Sequence, residues 1–176
     1  MNKKIFIFGS KPNTKIPNEK CDLIFSANGG AYYAYKYQKK IKNNKISHTN
    51  ISTDQGFIKI PKLREYVEFS MPDKVIFRGD RIQIENHSKK ISSSNVKIEY
   101  QSYLSQFLFQ RNFFKRGLID LIRSEMKYEK NNKIKQLYYF IRVLRSGVIL
   151  GCSTGIYAAL YALNKFPAHT ICLHGI

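Results

Sequence analysis

Three short stretches of the sequence combine glycine with hydroxyl or amide side chains: "GSKPN" (9–13), "SANGG" (26–30) and "CSTG" (152–155). Glycine lets a backbone come close to a ligand, and Ser, Thr and Asn supply donors beside it. That combination suits a phosphate or a sugar hydroxyl. Gly9, Ser10 and Asn13 belong to the first stretch, Asn28 to the second, and Ser153, Thr154 and Gly155 to the third. Ser153 and Thr154 stand just ahead of a long apolar run, where they would cap a helix whose first N–H groups attract an anion. Any one of these stretches also describes an ordinary strand-to-helix turn. They argue for a site when one fold brings them to the same edge.

Other chemistries are poorly supplied. The sequence holds no G-x-G-x-x-G fingerprint and no G-x-x-x-x-G-K-[ST] loop, so neither a common dinucleotide fold nor a P-loop is indicated. No D-x-D or H-E-x-x-H occurs, and His48, His87, His169 and His174 show no ligand spacing, so no metal or metal-dependent site is expected. A lone histidine in a loop is more often a solvated residue than a general base.

The elements that must position the three stretches follow from the apolar pattern. "KKIFIF" (3–8), "CDLIFSA" (21–27), "KISHTNIST" (45–53), "DKVIFRG" (73–79) and "HTICLHGI" (169–176) read as strands. "NGGAYYAYKYQKK" (28–40), "IPKLREYVEF" (60–69, with Pro61 in a first turn) and "STGIYAALYALNKF" (153–166) read as helices. Residues 80–100 are polar and are expected to form an irregular or hairpin insertion. From 101 to 130 the pattern is helical, with Leu104, Phe107, Phe114, Leu118, Leu121 and Ile122 on one face and Arg111, Lys115, Arg116 and Arg123 around it; "KIKQLYYFIRVLRSG" (133–147) is a second basic helix. Strands separated by helices give an α/β domain with a mostly parallel sheet, in which ligands bind beyond the carboxyl ends of the strands. The three stretches all lie at such ends.

With 176 residues, 43% of them hydrophobic, the chain can bury the core of one domain. Thirty Lys and Arg oppose 12 Asp and Glu, a net charge of +18, which favours anionic partners: nucleic acid, anionic lipid or phosphorylated substrate. A Lys-, Asn- and Ile-rich composition bias produces the same balance. Cys21, Cys152 and Cys172 form no C-x-x-C pair and are expected to fill core gaps in a reducing cytoplasm. The apolar run near the N-terminus is too short for a signal peptide, and "GVILGCSTGIYAALYAL" is interrupted and short for a membrane span.

The two ends of the chain, taken together, resemble the bacterial CMP-sialic acid-dependent sialyltransferases of glycosyltransferase family 42. That family carries a Thr/Ser-Ser/Thr-Gly turn, an Ala/Leu-rich helix and a strand ending Gly-Ile-Asp. Here Ser153, Thr154 and Gly155 are followed by a helix to Phe166 and a strand ending His174, Gly175, Ile176. "IFIFGSKPN" is similar to the family's first strand and Gly-x-Gly-Pro-Ser loop, with Gly9 and Pro12 kept, Lys11 in place of the second Gly and Asn13 in place of the Ser. "FSANGGAYYA" resembles the second strand, where Asn28 matches the Asn that contacts the donor nucleotide. "STDQGF" matches a polar turn on the donor, which makes Thr53, Asp54 and Gln55 its equivalents.

The resemblance implies a Rossmann-like, GT-A-like three-layer domain that binds a CMP-activated sugar without a metal or other cofactor. A glycan or glycolipid would be the acceptor, in the cytoplasm or at the inner face of an anionic membrane. It also implies that residues 1–176 are one nucleotide-sugar-binding domain, the N-terminal part of a longer glycosyltransferase, with the family's Asp, base His and leaving-group Tyr beyond Ile176. The catalytic base is thereby unassigned; His174 occupies a position that the family fills with a small residue. Two alternatives stay open, a basic nucleic-acid-binding α/β module and an inactive CMP-sugar-binding fragment.

Overall fold

The computed structural model describes residues 3–42, 46–79, 81–92, 94–115, 133–134 and 152–176. The chain divides into two compact units, residues 1–101 with 154–176, and residues 102–153. In the second, a helix Tyr103–Phe114 starts from Ser102, whose hydroxyl accepts the Ser105 N–H, and stops at Lys115 in the left-handed conformation. The helical run expected from residue 101 therefore begins two residues later. Leu118, Leu121, Ile122, Arg116, Arg123 and most of the basic helix expected over 133–147 lie outside the described residues.

The first unit is a six-stranded sheet with every neighbouring pair parallel, in the order β5-β4-β3-β2-β1-β6. Its strands are β1 (Lys4–Phe8), β2 (Leu23–Ala27), β3 (Ser47–Thr53), β4 (Lys74–Arg78), β5 (Lys97–Gln101) and β6 (Thr170–His174). The helices are α1 (Ala31–Lys40, entered through a 3-10 turn at Asn28–Gly30), α2 (Asp54–Lys59), α3 (Pro61–Ser70), α4 (Arg81–His87) and α5 (Lys89–Ser92). After the second unit comes α7 (Thr154–Lys165), where α6 denotes Tyr103–Phe114. Helices cover both faces, so this is the Rossmann-like three-layer α/β fold that the strand and helix alternation predicts.

Side-chain alternation sorts the core. Phe6, Phe8 and Ile24 face α1 and join Cys21, Ala34, Tyr37 and Ile46 in one cluster, with Cys172 packed against it. Val75 and Phe77 face the same way and join Phe57, Val67, Ile84 and Ile91 from α2 to α5. On the opposite face Phe25 meets Tyr161 of α7, and Tyr157, Ala158 and Ala162 are buried. Each fully buried Phe or Ile contributes roughly 1.5–3 kcal/mol.

The polar segment 80–100 is not a loop or hairpin. It forms α4, α5 and the edge strand β5, because single apolar residues suffice to anchor them: Ile84 and Ile91 under the helices, Ile98 and Tyr100 on alternate positions of the strand. The remaining strand positions, Lys97, Glu99 and Gln101, are polar because an edge strand keeps solvent access.

Of the two glycines that lead into α1, only Gly30 is required by backbone packing. A Cβ on Gly30 would stand 2.1 Å from the Phe8 carbonyl oxygen, and one on Gly29 would meet only the tip of Leu63, at 2.5 Å. Backbone cannot yield as a leucine methyl can. Gly30→Ala is therefore expected to lose about 1–3 kcal/mol or more in urea unfolding, and Gly29→Ala distinctly less. Equal losses would show that the α1 entry is not held against β1.

Candidate functional site

At the carboxyl edge of the sheet the conformation of Asn28 is set by its surroundings. It follows β2 in the left-handed region (φ 49°), which Asn tolerates better than most residues. Its side-chain oxygen accepts the Thr53 N–H at 3.1 Å, and its carbonyl accepts the Asn50 amide N–H at 3.1 Å. The Thr53 N–H must be met by an oxygen, so the amide orientation is fixed and the Asn28 Nδ2 donors point elsewhere. They have no hydrogen-bond partner among the described residues.

Beneath Asn28 runs a buried polar strip. Ser26 of β2 and His48, Asn50 and Ser52 of β3 share the face turned to α1 and α3, and all four are buried. Asn50 Nδ2 donates to Ser26 Oγ at 2.8 Å, Ser52 Oγ donates to Asn50 Oδ1 at 2.7 Å, and Ser26 Oγ lies 2.7 Å from His48 Nε2. The neutral His48 ring shares this one hydrogen bond through Nε2, and its Nδ1 is buried with no partner among the described residues. Burial pushes the His48 pKa down to about 4, against a weaker opposing pull from Asp73, whose carboxylate accepts the His48 backbone N–H at 2.7 Å.

The other expected residues are placed as follows. Ser10 donates to the Ala27 carbonyl at 3.0 Å and so clips the β1 turn to the end of β2. Thr53 caps α2 by accepting the Gly56 N–H at 3.1 Å. Asp54 is buried, its carboxylate filling the space where a Cβ on Gly79 would stand. Gly9 donates to the His174 carbonyl at 2.8 Å, and a Cβ there would lie 2.1 Å from the Gly175 oxygen. Gly155, in the first turn of α7, packs against Ile176, and Thr154 opens that helix beside it. Asn13 is exposed in a left-handed turn. Ser153 is exposed and belongs to the other unit, and the side chain of Gln55 lies outside the described residues.

One edge thus gathers Gly9, Ser10, Asn28, Thr53, Asp54, Thr154 and Gly155. Its glycines accommodate the chain itself, Gly9 the backbone of Gly175 and Gly155 the side chain of Ile176. Ser10 and Thr53 are committed to turns, which leaves Asn28 Nδ2 and the Thr154 hydroxyl as groups for a ligand.

Sequence reasoning missed Arg78. It closes β4, is nearly buried, and lies with its guanidinium 3.7 Å from the ring centroid of Tyr157, whose hydroxyl donates to Gln101 Oε1 at 2.7 Å. A buried cation at the carboxyl edge adds to the field that an anion meets. His48 was also missed as a core residue; the signal was "SHTNIST", with polar side chains at alternate positions of a strand. His174 is a packing residue: its ring stacks on Phe8 (5.2 Å, 26°) and meets Phe6 edge-on, and burial lowers its pKa.

No protein-family model, curated protein or solved structure matches this chain. Among the described residues no group of three His, Cys, Asp or Glu is placed to hold a metal, and no helix is long and apolar enough to cross a membrane.

The strip makes stability depend on pH. The folded His48 pKa (about 4) lies below the ordinary 6.5, so the unfolded chain binds the extra proton between those values. The neutral ring's contribution is complete above pH 6.5 and is lost as pH falls towards 4, for a total of roughly 3 kcal/mol. Urea unfolding from pH 7.5 to 4 should show that loss, and His48→Gln should flatten this part of the curve. An unchanged slope would place the ring in contact with solvent.

Proposed function

We propose that the carboxyl edge of β1–β3, with the start of α7, binds the nucleotide of a CMP-activated sugar. The chain then serves a metal-independent glycosyltransferase of sialyltransferase type, with a glycan or glycolipid as acceptor and the cytoplasm as the compartment. The observation that supports this most is Asn28. The resemblance assigns donor contact to that position, and the fold fixes its oxygen on Thr53 while leaving its two amide protons for a ligand.

Chemically, a pyrimidine nucleotide offers carbonyl and ribose oxygens that an amide N–H₂ can donate to. Its single phosphate suits the Thr154 hydroxyl and the positive end of the α7 dipole. Such donors stabilise the charge that grows on a departing phosphate, which is the electrostatic part of glycosyl transfer. Arg78, buried nearby in the same edge, adds positive potential without direct contact. No residue of the described structure is assigned as general base.

Calorimetric titration with CMP tests the reading. Asn28→Asp keeps the acceptor for Thr53 and the tolerance for the left-handed conformation, but replaces the amide donors by a carboxylate that repels phosphate. Affinity for CMP should fall at least about tenfold while the melting temperature stays close to wild type. Equal affinity in the two proteins, or no CMP binding by wild type, would overturn the assignment. A protein that binds CMP and transfers no sugar to any acceptor would be the inactive CMP-binding form.

A further inference from the structure

At the opposite, amino edge of the sheet, α1 and α3 end side by side in a cluster that the donor site does not use. Phe69 is 58% exposed and Met71 55% exposed. Met71 ends α3 in the left-handed conformation (φ 43°), a position that normally falls to Gly or Asn. Tyr35 of α1 packs edge-on against Phe69 at 4.8 Å, and the Lys39 ammonium lies over the Tyr35 ring at 4.8 Å. Lys40 and Lys42 continue the same end of α1 and are exposed. The Lys40 ammonium donates to the Ile16 carbonyl at 3.2 Å. The helix dipole accounts for lysines at the end of α1, but not for two large apolar side chains left in solvent at the end of α3 beside them.

A pocket of about 230 Å³ opens in this corner, lined by Tyr35, Gln38, Lys39, Ser70, Met71 and Asp73 among others. Of the acids nearby, Asp73 is tied to the His48 backbone N–H and Glu68 to Lys90, while Glu65 is exposed on α3. The balance of the corner is cationic, in a chain of net charge +18.

We propose that this corner is a docking surface for an anionic lipid bilayer, with Phe69 and Met71 entering the interface and Lys39, Lys40 and Lys42 facing the headgroups. Exposed apolar side chains with lysines beside them are an arrangement that binds such a surface, by apolar burial and charge together. Single-stranded nucleic acid fits less well, since it needs open aromatic faces for its bases. The tyrosines here already use theirs: Tyr32 is stacked on Tyr66 at 4.8 Å, Lys36 lies over Tyr32, and Lys62 over Tyr66. The proposal does not depend on the donor site, which lies at the other edge of the sheet.

Flotation with phosphatidylglycerol–phosphatidylcholine vesicles, against pure phosphatidylcholine, tests it. Wild type should float with the anionic vesicles only, and should release from them in about 0.5 M salt. Phe69→Glu and the double change Lys39→Glu/Lys40→Glu should each lower the vesicle-bound partition about tenfold or more. All these side chains are exposed, so melting temperatures should hold, and CMP titration of the same variants should match wild type. The proposal is overturned by three results: no binding to anionic vesicles, binding that Phe69→Glu leaves intact, or single-stranded RNA binding that these variants abolish without any vesicle binding.

Discussion

The hydrogen bonds that run from His48 through Ser26 and Asn50 to Ser52 are the constraint on which the rest depends. These four side chains sit in the middle of a face that would otherwise be continuous hydrocarbon, between the cluster under α1 and the cluster under α2–α5. Polar side chains at such a place are costly unless they bond one another, as all four do here, and a network of this kind admits few alternative registers. A one-residue slip of β3 against β2 would put Thr49 and Ile51 where Asn50 and Ser52 belong, and the bonds from His48 and Asn50 to Ser26 would both be lost.

The same network reaches the carboxyl edge. Asn50 donates both to Ser26 and to the carbonyl of Asn28, so the residue that pins the register also sets the turn after β2. Asn28 in turn accepts from Thr53, the cap of α2. Register, turn and helix start are therefore coupled, and Asn28 is held in a conformation that would be costly without its partners. The carboxyl edge is tied by these bonds where a nucleotide is proposed to bind, while the amino edge presents the exposed Phe69 and Met71. A donor site and a membrane-facing corner at opposite ends of the strands would let a soluble substrate reach one while the other rests on lipid.

Much of this was legible in the residues. The apolar runs ending at Phe8, Ala27 and Arg78 could scarcely be anything but buried parallel strands, and the alternation with amphipathic helices fixed the class. β5 escaped because its apolar residues, Ile98 and Tyr100, lie in a segment dominated by charge, and a half-exposed edge strand carries a weak signal. The role of His48 escaped for a different reason. Its partner Ser26 is 22 residues away, and only the parallel register of β2 and β3 brings them together. The glycines were read correctly as sites of close approach, but what approaches Gly9 and Gly30 is the chain itself.

The central claim is that the strip holds Asn28 so that its amide protons serve a nucleotide at the carboxyl edge. A crystal structure of the protein with CMP tests this most directly. The account predicts the nucleotide at the ends of β1–β3, with Asn28 Nδ2 at hydrogen-bond distance from it and Oδ1 still accepting from Thr53. CMP bound elsewhere, or Asn28 turned away from a nucleotide that does occupy this edge, would contradict it.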